Sequence, residues 1–582
     1  MSKTSKGFSL ELFLIIAIAI TCILRIINLD SREFWYDEVL SLLLSTGQKK
    51  LYNNPSDVPV ALASYQPLLS LPLESSFGDV LATFEKLLKG LVAEPHPPLF
   101  FIEQHIALRL FGNSEFAMRI FPTLYSFGAM FCAYGIGRKL LNYRGGLLFS
   151  ATLGLNPFFL FHSLNVRMYC GLVFWVILSG WATLELFYEP PERLATKEQN
   201  DRQNRFKRVI WSLVLVASIT AGIMTFYYFA IWVTSLGLFV VILDFIKAYK
   251  LVSSNKAIKN SFNSTILTFL KAKRWQYQSL LLIGGFIITI PWLLWGMRQQ
   301  LNNADLGRFK AGSNVLETAW THIQGILTTL GINLLTGDWA SILTPTIINL
   351  TGFIAIALLL ISIISLWQKK YYQLLITTIC FSLLPLFIMV AVDVFSGKFT
   401  VGFGFGRSLI FILPGCLLLW VAAINKMNSK WQTYLSIALL SCYLISSVAD
   451  FSLRKRSMFH DIADIIIQQP NVPTLIAMDS SAWGHVLRLA YYLPENAPID
   501  LLAQPSSKLN NALINTFKTQ PKAYQRLIFL NSDRPVWSDR ITQKDQQIIQ
   551  NTITKKFNLV NQKRLIGTWE LDNFDLSVYE KP

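Results

Sequence analysis

Cysteine is scarce and unpaired. The six (Cys22, Cys132, Cys170, Cys380, Cys416 and Cys442) all lie in or beside apolar runs, with no CxxC spacing. That excludes a disulfide framework and a thiolate metal site. Charge is also short: Asp, Glu, Lys and Arg make up 15% of the 582 residues, against about 25% in an ordinary soluble domain. The loops that the hydropathy places outside a membrane hold no Asp-x-Asp cluster, so there is no obvious divalent-metal site. No clear internal repeat appears, as an inverted-repeat transporter would show.

What is abundant is apolar sequence. Hydrophobic residues reach 52% and the mean hydropathy is +0.41, which reads as a polytopic α-helical membrane protein. The net charge of +17 does not indicate nucleic-acid binding, because Lys and Arg gather in the connectors 138–144, 189–208, 247–274, 368–370 and 426–430. This is the positive-inside pattern. Met1 to Gly7 carries two lysines, and the run Phe8 to Ile27 is too long for a signal-peptide core and lacks a cleavage site. An uncleaved first helix with its start in the cytoplasm is expected.

The apolar runs thread as about eleven spans: 8–28, 116–137, 145–163, 168–188, 209–226, 229–246, 277–296, 345–367, 371–391, 408–425 and 431–449. The count rises to as many as 13 if Leu99 to Phe111 and 323–340 also cross. The eleven-span threading is preferred because it leaves every basic connector inside. Phe77 to Gly90 and Leu99 to Phe111 are then interfacial helices in a first outer loop, 29–115. Residues 1–450 form the membrane domain. From 451 to 582 the runs shorten to an α/β pattern, expected to fold outside the membrane. Val472 to Met478, Arg526 to Leu530 and Phe574 to Tyr579 read as strands, and Asp461 to Gln469, Trp483 to Leu493 and Gln543 to Phe557 as helices. This unit has no glycine-rich phosphate loop, metal cluster or catalytic triad and reads as a support or acceptor-binding module.

The chemistry is expected around Asp37 and Glu38, set among aromatics in Phe34-Trp35-Tyr36-Asp37-Glu38 just past the first span. Adjacent carboxylates at a membrane face can take a proton from an incoming hydroxyl or organise a charged ligand. They also suit a solvated helix start, where acids favour the dipole. On the same face lie His96 before Pro97-Pro98, Arg119 opening the second span, Arg167 and Tyr169 after the third, and Arg407 after a Gly-Phe run. Arginine forks and a histidine can stabilise a phosphate leaving group without a metal. Each arginine also suits a headgroup contact at a span end.

Trp35-Tyr36-Asp37-Glu38, His96-Pro97-Pro98-Leu99, Phe116-Ala117-Met118-Arg119-Ile120-Phe121-Pro122 and Arg167-Met168-Tyr169 occur in order on one face. Together they resemble the GT-C integral-membrane glycosyltransferases, in the branch of protein O-mannosyltransferases, aminoarabinose transferases and RgtA/B/C/D-like transferases. The resemblance implies a GT-C fold and transfer of a sugar from a polyprenyl-phosphate donor to a protein, glycolipid or polysaccharide acceptor. Transfer would occur on the outer face of the cytoplasmic membrane. It implies Asp37 as base or acceptor-orienting acid and Glu38 as its companion, with His96, Arg119, Arg167, Tyr169 and Arg407 binding donor phosphate or substrate. Relatives often carry Glu-Ala-Arg where this chain has Asn165-Val166-Arg167, and a histidine near Thr225-Phe226-Tyr227-Tyr228. No cofactor is expected; a divalent metal held by Asp37 and Glu38 is the disfavoured variant. The competing readings are a flippase of lipid-linked sugars and a catalytically silent relative that binds polyprenyl lipid.

Overall fold

The computed structural model describes residues 9–188, 201–254, 262–303, 315–402, 404–454, 456–535, 540–567 and 572–582. The N-terminal Met1 to Gly7, and the connectors expected at 189–208 and 247–274 over 189–200 and 255–261, lie outside these residues.

The first helix, α1 (Leu10–Ile27), leads into an outer segment holding α2 (Tyr36–Ser45), α3 (Phe77–Gly90) and α4 (Leu99–Phe111). The membrane bundle continues through α5 (Glu115–Leu140), α6 (Tyr143–Leu155), α7 (Pro157–Ser163), α8 (Tyr169–Phe187), α9 (Asp201–Thr225) and α10 (Phe229–Ser254). After α11 (Phe262–Leu270) come α12 (Lys273–Trp292), α13 (Arg298–Asn303), α14 (Val315–Gly331), α15 (Pro345–Gln368), α16 (Tyr372–Ser396), α17 (Leu413–Asn425) and α18 (Ser429–Leu453).

Among the described residues, ten helices are long and apolar enough to cross a membrane. The chain is a multi-pass membrane protein. The span expected at 145–163 is not one of the ten, because Asn156 and Pro157 divide it into α6 and α7. Asn156 leaves the helical region and its side chain accepts from the Phe159 N–H, so it caps α7 while Pro157 supplies a ready first turn. The 13-residue α4 is too short to cross.

Helix α17 is apolar all round and lies at the centre, against α6, α15 and α16. Peripheral helices show the opposite pattern. On α1, Leu12, Ile15, Ile16, Ile23 and Ile26 are exposed, a face suited to lipid.

Residues past 456 form α19 (Met458–Gln468), α20 (Trp483–Tyr492), α21 (Ser506–Thr519) and α22 (Gln543–Thr554) around a six-stranded sheet. Its strands are β1 (Val60–Ala61), β2 (Thr474–Met478), β3 (Ile499–Ala503), β4 (Arg526–Ser532), β5 (Asn558–Leu565) and β6 (Phe574–Glu580), in the order β1-β3-β2-β4-β6-β5. Strands β3, β2 and β4 run parallel, with Thr474 opposite Ile499 and Arg526. The central strands are buried on both faces, as parallel strands require.

The edge strand β1 comes from the first outer segment, where Val60 pairs with Leu501. The sheet therefore crosses the division expected at residue 450. Two polar clusters reinforce that tie. Glu33 accepts hydrogen bonds from the backbone N–H groups of Phe459 (3.0 Å) and His460 (2.6 Å). Arg32 reaches Asp450 at 2.7 Å, and Arg454 and Arg456 hold both Asp338 and Asp450.

Candidate active site

Helix α2 starts immediately after Trp35, and its first turn carries Asp37 and Glu38. Successive helical positions point about 100° apart, so the two carboxylates face different neighbours. Glu38, at the third helical position, turns back and accepts from the Trp35 N–H at 3.0 Å, half of a capping box. Its other bonds come from the Val166 N–H at 2.8 Å and from Arg119 Nε and Nη2, each at 3.0 Å. Glu38 is completely buried, and four donors fill its acceptor positions.

Arg119 is equally committed. Besides its fork on Glu38, it donates to the carbonyls of Leu29 (2.9 Å), Arg32 (2.8 Å) and Glu33 (3.3 Å). All five guanidinium N–H groups thus have protein partners. The residue expected to hold donor phosphate instead folds the segment 29–33 around itself.

Asp37 faces the other way. Its Oδ2 accepts from Arg407 Nη1 at 2.7 Å and lies 3.9 Å from Arg167 Nη2. Burial pushes the Asp37 carboxyl up, but the guanidiniums of Arg407 and Arg167 outweigh it and hold it below the usual carboxylate range. Arg167 is fixed by a bond from Nη1 to Ser41 Oγ at 3.1 Å, one turn along α2. The Arg407 guanidinium also lies over the rings of Trp35 (5.5 Å) and Tyr169 (5.9 Å).

The Gly-Phe run explains how Arg407 reaches a residue 370 positions away. Gly404, Phe405 and Gly406 all adopt positive φ, at 64°, 57° and 78°. Phe405 pays the usual penalty of a bulky residue there. At Gly404 a Cβ would stand 2.4 Å from Arg407 Nε, so only glycine lets the guanidinium fold back towards Asp37.

His96 and Tyr169 are joined through Phe226. The His96 ring stacks on Phe226 at 6.1 Å, and Phe226 meets Tyr169 edge-on at 6.1 Å. The back of α2 rests on α20, where Gly484 lies so close to the Tyr36 ring that a Cβ would stand 2.7 Å away. Beside it Arg488 pairs with Asp572 at 2.5 Å, both buried.

Asp37, Arg167, Tyr169, Arg407 and, through Phe226, His96 therefore converge, while Glu38 and Arg119 form a separate buried pair. Sequence reasoning missed Ser41, Trp35 and Phe226 as members of this cluster. Only the helical spacing of Asp37 and Ser41 offered a signal. Among the described residues, no group of three or more His, Cys, Asp or Glu side chains converges.

A family model described as dolichyl-phosphate-mannose-protein mannosyltransferase matches residues 95–195. No curated protein matches the chain. Among solved structures the chain is similar to ArnT from Cupriavidus metallidurans bound to undecaprenyl phosphate, at 10% identity over 97% of each chain with a TM-score of 0.45. It is also similar to the Archaeoglobus fulgidus oligosaccharyltransferase in complex with Zn and sulfate, at 11% identity over 89% of this chain and 67% of that one, TM-score 0.43. The arabinofuranosyltransferase AftD from Mycobacteria is similar at 12% identity over 99% of this chain and 42% of that one, TM-score 0.35. Of the converging residues, His96, Arg167 and Tyr169 fall inside the family match and Asp37 and Arg407 outside it. Residues 95–195 are similar in sequence to that mannosyltransferase family.

Proposed function

We propose that the protein transfers a sugar from a polyprenyl-phosphate donor to an acceptor on the outer face of the cytoplasmic membrane. The observation that carries this reading is a charge imbalance. Around Asp37 stand two guanidiniums, Arg407 and Arg167. The neighbouring Glu38–Arg119 and Arg488–Asp572 pairs each cancel internally. One positive charge is left over beside a carboxylate in a partly buried site, which suits a phosphate monoanion or diester. The donor named in the family description, a dolichyl-phosphate mannose, has that charge.

In this reading Arg407 and Arg167 hold the donor phosphate and Asp37 receives the acceptor proton. The acceptor oxygen bonds to the anomeric carbon, its proton passes to Asp37, and the carbon–oxygen bond to phosphate breaks. The electron pair leaves with the polyprenyl phosphate, where the guanidiniums stabilise the developing charge. The guanidiniums keep Asp37 ionised, so it orients the acceptor hydroxyl and takes its proton as the new carbon–oxygen bond forms. Glu38 and Arg119 form a buried ion pair that serves as scaffold. Residues 451–582, with β1, cover this face from outside.

The test offers labelled polyprenyl-phosphate sugars to membranes holding wild type or Asp37→Asn, with and without a chelator. Transfer from one donor by wild type, lost in Asp37→Asn of normal abundance, supports the reading. Undiminished transfer by Asp37→Asn overturns the role of Asp37. Wild-type membranes that move the intact lipid-linked sugar across a bilayer without transferring it favour the flippase.

A further inference from the structure

Helix α14 and the π turn that continues it, Ile332–Thr336, present one face to the stretch that carries Arg407. His322, Gly325, Thr329 and Asn333 follow the i, i+3, i+7, i+11 spacing of a single helix face. Each of them touches that stretch. Phe399 lies so close to Gly325 that a Cβ there would stand 2.7 Å from its ring. His322 meets the same ring edge-on at 5.2 Å. Thr329 donates from Oγ1 to the Val401 carbonyl at 3.1 Å, and Asn333 donates from Nδ2 to the Gly406 carbonyl at 3.4 Å.

His322 acts through a buried acid. Its Nδ1 faces the Thr318 carbonyl at 2.6 Å, one turn back, and its Nε2 meets Asp393 Oδ2 at 3.1 Å. A carbonyl only accepts, so Nδ1 carries a hydrogen and the ring is held in one orientation. Both His322 and Asp393 are buried. The Asp393 carboxylate gathers the start of the Arg407 stretch. It accepts from the Thr400 N–H at 2.7 Å, the Thr400 hydroxyl at 2.8 Å and the Val401 N–H at 3.1 Å. Ser408, next to Arg407, then donates from Oγ to the Thr400 carbonyl at 2.7 Å. A path of direct bonds therefore runs from His322 through Asp393 and Thr400 to Ser408. It ends one residue from the guanidinium that donates to Asp37 at 2.7 Å. The turn needs such outside support. Gly404, Phe405 and Gly406 stand at positive φ, and a strained bulky residue such as Phe405 persists only where its surroundings over-determine it.

We infer that His322 and Asp393 are positioning residues for the phosphate site, a latch that holds Arg407 against Asp37 with α14 as its template. The inference rests on the proposed function and adds where the position of the guanidinium is set. A histidine that stands alone in the sequence acquires its role through an acid 71 positions away.

The experiment compares wild type with His322→Phe, which keeps an aromatic ring against Phe399 and removes both nitrogens, and with His322→Gln, whose amide N–H can replace the donor to Asp393. Two quantities are read from the full-length protein in nanodiscs: hydrogen–deuterium exchange at the Thr400 and Val401 amides, and affinity for undecaprenyl phosphate. His322→Phe should speed exchange at both amides and weaken lipid binding about tenfold, the low end of what a bond to a charged group is worth. His322→Gln should restore most of both. Adding His322→Phe to Arg407→Ala should weaken binding no further, because the latch acts through that guanidinium. Thr329→Val, which keeps the shape and removes the hydroxyl on the same face, should weaken binding by a smaller factor, and it reports even where His322→Phe folds poorly. Unchanged exchange in His322→Phe overturns the latch. Faster exchange with wild-type affinity, or a full further loss on top of Arg407→Ala, overturns the positioning role. A wild type that does not bind undecaprenyl phosphate overturns the proposed function, and the positioning role with it; failure of the inference alone shows only in the variants.

Discussion

Asp37 and Glu38 are neighbours in the chain and opposites in the structure. Glu38 is sealed, with four donors on its two oxygens, and its partner Arg119 spends all five of its own. Asp37 keeps some exposure and faces two guanidiniums that one carboxylate cannot neutralise. The first arrangement leaves nothing for a ligand; the second carries a surplus positive charge. One helical step separates two acids of the same chemistry into a sealed ion pair and a carboxylate set between two guanidiniums.

The comparison breaks most visibly if Glu38 is altered. Removing one member of a buried pair leaves an unpaired charge and costs about 3–5 kcal/mol. Glu38→Ala or Arg119→Ala should therefore lower the amount of folded protein and its melting temperature. Activity should fall with abundance, not beyond it, and thermal unfolding in detergent measures both. A melting temperature equal to wild type would mean that this pair is no scaffold.

Arg407 should give the next largest effect, and it should fall on activity. Arg407→Lys keeps the charge but loses the fork and the stacking over Trp35 and Tyr169. A bond to a charged group is worth about 1.5–3 kcal/mol, so kcat/KM for transfer should fall by about 10- to 100-fold with abundance unchanged. Gly404→Ala should mimic part of this loss, because its Cβ would meet Arg407 Nε at 2.4 Å in a positive-φ position. Steady-state transfer in membranes checks both variants.

Much of this was legible in the sequence. Spans with 3.6-residue or all-round apolar patterns were found, and so were β2, β4 and β6, whose residues are β-rich and buried. The strands that escaped were those with weak signals: β1 has two residues, β3 has five, and β5 is polar and almost wholly exposed. The break at Asn156-Pro157 was hidden inside one apolar run, because hydropathy averages over a cap and a proline. The motif residues were visible as types and spacings. Their division was not, since burial alone distinguishes Glu38 from Asp37, and burial is decided by Arg119, Val166 and Arg407, 81, 128 and 370 positions away.

The smallest expected effect concerns pH, and it sets Asp37 against a third acid, Asp479 at the end of β2. The pKa of Asp37 is depressed in the fold. Its ionisation therefore stabilises the protein above the ordinary carboxylate value, and that contribution is lost only as pH falls through the lower folded value. Asp479 is the reverse case. Burial pushes its carboxyl up to about 7, and only its Oδ1 is engaged, by the Ser532 N–H at 2.9 Å, while Oδ2 has no partner. The folded state holds its proton more tightly than the unfolded chain does. Its contribution is present in full below the unfolded value near 3.8 and is lost as pH rises through about 7. Wild type should then melt at a lower temperature at pH 8 than at pH 6. Asp479→Asn, neutral throughout, should flatten that dependence, raising the melting temperature most at pH 8, less at pH 5, and hardly at all below the unfolded value near 3.8. Asp37→Asn should leave the same pH 6 to 8 slope intact, since Asp37 stays ionised across that range. Equal slopes in wild type and Asp479→Asn would show that Asp479 does not titrate there.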